Sequence, residues 1–154
     1  MFAVILLVFG LGGIVHMALV GAVGVPWFVP DLLMVVGASA LASDRSRASW
    51  VLAAMGCAAV AGAGEHIGWS IAAYVGSGLW FMRLGAQWDL GERLVRMAAV
   101  GVAESLVVTL WLILDGGAGM RLVGYAALKV LITIAAVPCG DRLFLRFLRR
   151  DAPV

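Results

Sequence analysis

The chain has 154 residues, 64% of them hydrophobic, only 13% charged, and a formal net charge of +2. Covering the surface of a water-soluble domain of this size takes roughly a quarter charged residues, so composition excludes that class. A mean hydropathy of +1.06, with apolar runs filling the sequence to about Gly140 between short charged clusters, leaves no room for a separate extramembrane domain.

In hydrocarbon every backbone N–H and C=O must be paired, which only helices and closed barrels achieve. These runs lack the strict alternation of barrel strands, so the expectation is an all-α, polytopic membrane protein. Met1 to Gly24 has no Lys or Arg ahead of its apolar run, and further runs follow it. It therefore reads as a retained first helix over about 2–24 rather than a cleaved signal. His16 inside it is expected to make an interhelical hydrogen bond.

Helix two is expected over 31–43 with a lead-in from Trp27, helix three over 48–64, helix four over 67–82, helix five over 94–114 and helix six over 122–140. Residues 1–140 then form a compact bundle of six transmembrane helices, and 141–154 a basic amphipathic tail. Helices two to four fall short of the roughly 20 residues that cross a bilayer, so their ends need flanking tryptophans or a thinned membrane. Trp27, Trp50, Trp69, Trp80 and Trp88 stand near those ends. Gly64 and Gly68 are at the small-xxx-small spacing that lets helices approach closely, with Gly13 and Gly21 a looser case.

Basic residues set orientation, because Lys and Arg are retained on the cytoplasmic side. Six spans gather Arg45, Arg47, Arg83, Arg93, Arg96, Arg142, Arg146, Arg149 and Arg150 on one side and leave Arg121 on the other. Both termini are thus expected in the cytoplasm. The segment DRLFLRFLRR, from Asp141 to Arg150, carries Leu143, Phe144, Phe147 and Leu148 among Arg142, Arg146, Arg149 and Arg150. It is expected to lie on the inner leaflet as an anchor, each arginine contributing roughly 1 kcal/mol with anionic lipid.

Two ionisable residues fall mid-span, Glu104 in helix five and Lys129 in helix six. Each costs roughly 2.5–3.5 kcal/mol at the bilayer centre if unpaired, so both should face inward. They stand at comparable distances from the 115–121 loop, which makes a direct ion pair plausible. Such a pair reads first as a device fixing helix register, and second as a proton or ion relay. Cys57 and Cys139 lie in apolar stretches and read as small buried residues. Glu65 and His66 are adjacent, without the spacing that puts two metal ligands on one helix face. No GxSxG, Walker or HExxH motif occurs, so neither catalytic residues nor a metal nor another cofactor is expected. A small membrane enzyme built on His16, Glu104 and Lys129 would lack a nucleophile. The partner that composition implies is the lipid bilayer, with no nucleic acid.

Several local features carry a resemblance across the whole chain. Pro30-Asp31-Leu32-Leu33 leads into helix two, and the basic turn Asp44-Arg45-Ser46-Arg47 follows it. Gly56, Gly62-Ala63-Gly64-Glu65 and Gly68 bracket the junction of helices three and four, Tyr74-Val75-Gly76 lies in helix four, and Ala103-Glu104 lies mid-span in helix five. In these the chain resembles MreD, the small rod shape-determining membrane protein of bacteria. It departs from that pattern in having Glu rather than Asp at the end of helix three and Ala61 where a Gly is usual. The resemblance implies a non-enzymatic scaffold of the cell-elongation machinery in the inner membrane. Such a scaffold binds MreC and helps to position the RodA glycosyltransferase and its transpeptidase partner relative to MreB filaments. A competing expectation is the substrate-binding membrane subunit of a vitamin-type transporter, with Asp31, Glu65, His66, Trp69 and Asp115 lining a pocket.

Overall fold

A computed structural model describes residues 2–23, 28–43, 48–61, 67–114 and 120–148; of these, the side chains of residues 2–9, 43, 61, 120, 121 and 143–148 are not described. The described residues form six helices and no strand: α1 (Phe2–Val23), α2 (Leu32–Ser43), α3 (Ala48–Ala61), α4 (Ile67–Gln87), α5 (Arg93–Leu114) and α6 (Met120–Leu148). Two segments, Arg93–Leu114 and Leu122–Arg142, are long and apolar enough to cross a membrane.

The shortest helix is the axis of the bundle. α2 reads LLMVVGASALAS, without a charge and apolar around its whole circumference, the pattern of a helix enclosed on all sides. It packs against each of the other five helices, and every side chain from Leu33 to Leu41 that the helix carries is buried. Twelve residues rise only about 18 Å. A helix this short is held by its neighbours rather than by its own propensity.

Around it α3 pairs chiefly with α4 and α5 chiefly with α6. The α4–α5 connection is tight: Asp89 Oδ1 accepts the Gly91 N–H at 2.7 Å and the Asp89 carbonyl accepts the Glu92 N–H at 3.0 Å. This turn sets the two helices antiparallel. The α2–α6 contact is parallel and in register. Asp31 bonds to Thr133 and Ser39 bonds to Asp141, so both pairs are offset by 102 residues.

Two expected boundaries shift. α4 continues five residues past Met82 to Gln87, through Arg83, whose side chain is exposed. α6 passes Gly140 without interruption and runs to Leu148, carrying Pro138 inside it. The segment expected to be a separate tail is thus, to that point, an extension of the last helix. Pro138 has no N–H to offer the preceding turn, yet helix packing tolerates such a break.

The glycines singled out by spacing are not the ones that matter for packing. A Cβ built on Gly13, Gly21 or Gly68 meets nothing within 4 Å, whereas one on Gly140 would collide with Val35 and one on Gly101 would come within 2.7 Å of Ile134 Cδ1. Spacing reveals a stripe of small residues but not whether the stripe faces a neighbour. Gly64 lies outside the described residues.

The outer surface is apolar. Leu94 is 71% exposed and Ile113 70%, with Ile14, Leu106 and Leu131 also open. Cys57 and Cys139, expected to be buried, are exposed as well. An apolar stretch reads the same whether it faces lipid or core, so sequence cannot separate the two.

Candidate functional site

Polar side chains gather inside the bundle in two layers, each assembled from the same three elements. One layer holds Asp31, Glu104 and Thr133; the other holds Ser39, Arg96 and Asp141. On α2, α5 and α6 alike the members stand eight residues apart, which separates the layers by about 12 Å along each helix.

In the first layer Asp31 is the N-cap of α2. Its Oδ1 accepts the Met34 N–H at 3.1 Å and its carbonyl accepts the Val35 N–H at 3.2 Å, satisfying donors that a helix start leaves open. Asp31 also joins three helices. Its own N–H donates to Thr133 Oγ1 at 3.0 Å, and its Oδ2 accepts the hydroxyl of Tyr74 from α4. Next to it, His16 Nδ1 on α1 donates to the Pro30 carbonyl at 3.2 Å; the bond expected to another helix goes instead to the lead-in of α2. Lys129 Nζ donates to the Val29 carbonyl at 3.3 Å. Pro30-Asp31, picked out from the sequence, is therefore the junction where α1, α2, α4 and α6 meet.

Glu104 faces inward as expected and is 0% exposed. It lies within electrostatic reach of Asp31, Lys129 and Tyr74. No donor bonds either of its carboxylate oxygens, so it makes no hydrogen bond to Lys129, and the side chain within hydrogen-bonding range is the Asp31 carboxyl. The register explains this. Glu104 is 11 residues before Asp115, and Lys129 only 8 after Arg121, so the ammonium sits almost one turn nearer the loop. Lys129 is half-buried and reaches the Val29 carbonyl instead.

The second layer was not anticipated. Arg96 is 4% and Asp141 5% exposed. Arg96 Nη2 meets Asp141 Oδ2 at 2.6 Å, and Arg96 Nη1 donates to the Leu90 carbonyl at 2.6 Å. The other Asp141 oxygen accepts the Ser39 hydroxyl at 2.9 Å. One arginine assigned to the charged boundary is thus a core residue, and so is the acid expected to begin a surface tail. Arg83, Arg93 and Arg142 are exposed as a boundary residue should be.

Glu65 and His66 lie outside the described residues, as do Asp115, Arg149 and Arg150, and the side chain of Arg146 is not described. No group of three or more His, Cys, Asp or Glu suited to a metal occurs among the described residues. A cavity of about 50 Å³ is lined by Leu41, Ala48, Phe81, Met82 and Leu90, far below the roughly 300–1,000 Å³ of a small-molecule pocket. Trp69, expected to help line such a pocket, is exposed, and Asp31 makes four hydrogen bonds. No family model matches this chain, and neither a curated protein nor a solved structure is significantly similar to it.

Proposed function

We propose that the chain is a six-span scaffold of the bacterial inner membrane, of the MreD type, with both termini in the cytoplasm. In this reading it binds an MreC-like protein and helps to position a RodA-type glycosyltransferase and its transpeptidase partner, and so indirectly MreB filaments. The observation that carries the reading is the role of Pro30-Asp31. A dipeptide among those that prompt the resemblance is also the hydrogen-bonded hub of four helices, so the motif serves a fixed architecture rather than a reaction. A scaffold needs a rigid interior and apolar helix faces for lipid and partner helices, and the large exposed side chains of α1, α5 and α6 supply such faces. Arg142 and Arg146 in the α6 extension, with Arg149 and Arg150 next in the sequence, would hold that end at the anionic inner leaflet.

The test is co-purification from the native membrane in mild detergent. A single-span, periplasmic coiled-coil partner is the expected companion. An ATPase-containing complex, or a bound vitamin, would instead support the transport reading. Cysteine labelling at residues 45–47 and 121 checks the topology, with opposite compartments expected for the two positions.

A further inference from the structure

Glu104 presents an unresolved charge problem at the centre of the bundle. It is fully enclosed, no donor group bonds either of its oxygens, and it meets the Asp31 carboxyl within the range of a shared proton. The groups facing it are Asp31 from the lead-in to α2, Tyr74 from α4 and Lys129 from α6. α3 contributes no charged residue, α1 contributes His16 on the far side of Pro30, and Arg96 on α5 itself is held two turns away by Asp141. Two carboxylates against one ammonium leave one negative charge, and Asp31 already accepts from Met34 and Tyr74. A buried charge of this kind persists only with compensation. A single positive charge would balance the cluster, whereas a divalent ion would leave it one charge in excess. The hydroxyls of Tyr74 and Thr133 adjoin the pair through Asp31, each oxygen with a lone pair beyond the hydrogen bond it makes.

From this we propose that the Asp31–Glu104 pair holds one exchangeable monovalent cation, an alkali ion or a proton. The inference is independent of the scaffold reading, since it concerns what completes the interior and not what the exterior binds.

The experiment follows thermal unfolding of the detergent-purified chain. Sodium is varied at fixed pH, with choline chloride holding ionic strength, and pH is then varied at fixed sodium. For an alkali ion, Tm rises by about 3–6 °C per tenfold increase in sodium above its Kd. For a proton, Tm follows pH and ignores sodium. In either case Glu104→Gln abolishes the response, while Tyr74→Phe, which retains both carboxylates, lowers Tm and keeps it. Lys129→Met removes the competing ammonium and should move the midpoint at least about tenfold towards lower cation concentration. A Tm indifferent to both variables overturns the proposal. So does a response that survives in Glu104→Gln, and, should that variant not fold, a midpoint that Lys129→Met leaves in place.

Discussion

The two polar layers use the same three helical elements at the same eight-residue interval, yet they solve burial differently. In the Arg96–Asp141 layer a planar guanidinium meets a carboxylate, and the surrounding Ser39 hydroxyl and Leu90 carbonyl take up further hydrogen-bonding capacity. In the Asp31–Glu104 layer one acid accepts from two donors while the other, equally enclosed, is met by no donor and faces the first acid. The first arrangement fits a lock and the second an acid in need of a counter-charge. The paired layer leaves only Arg96 Nε without a partner, so each member is costly to lose, whereas an acid that no donor bonds can be changed at little structural cost.

That contrast is open to direct attack, and the largest effect should come from the closed layer. Asp141→Ala or Arg96→Ala alone should cost about 3–5 kcal/mol by stranding a buried charge. The double change Arg96→Met with Asp141→Leu should recover most of it in equilibrium unfolding in detergent. If the double variant is as unstable as the singles combined, the pair is not acting as a unit. Next in size, Gly140→Ala should cost about 1–3 kcal/mol through collision with Val35. Gly21→Ala, with nothing near its Cβ, should stay within about 0.5 kcal/mol of the parent. Tyr74→Phe should cost about 1–2 kcal/mol, the worth of its bond to Asp31. Smallest of all, Glu104→Gln in choline buffer should fall within about 1 kcal/mol of the parent, since no donor bonds its oxygens and the amide can still donate to Asp31. A loss there as large as that of Asp141→Ala would erase the distinction between the layers.

Much of the helical framework was legible because it follows from hydropathy and charge spacing: α1, α2 and α5 begin and end within a residue of expectation. The inward orientation of Glu104 and the hydrogen bond of His16 were legible because an isolated polar group in an apolar run has few places to go. Arg96 and Asp141 were missed because a guanidinium near a helix start reads equally well as a boundary residue. A signal was nevertheless present. Arg96 lies 19 residues before Asp115 and Asp141 lies 20 after Arg121, a closer match across the loop than Glu104 with Lys129. Tyr74 and Ser39 gave no such signal, since their partners come from helices whose mutual register no hydropathy pattern encodes. The exposure of both cysteines was hidden for the reason that lipid and core select the same residue types.

The constant offset of 102 between α2 and α6 has a consequence for biosynthesis. Asp31 and Ser39 emerge from the ribosome long before Thr133 and Asp141 exist, a delay of about 5–20 s at ordinary elongation rates. Throughout that interval the central helix is too short to be a comfortable span and carries an acid whose α6 contact has not been made. Its final seating must therefore wait for the last helix, making the translation of residues 120–148 the step that commits the nascent chain to its fold.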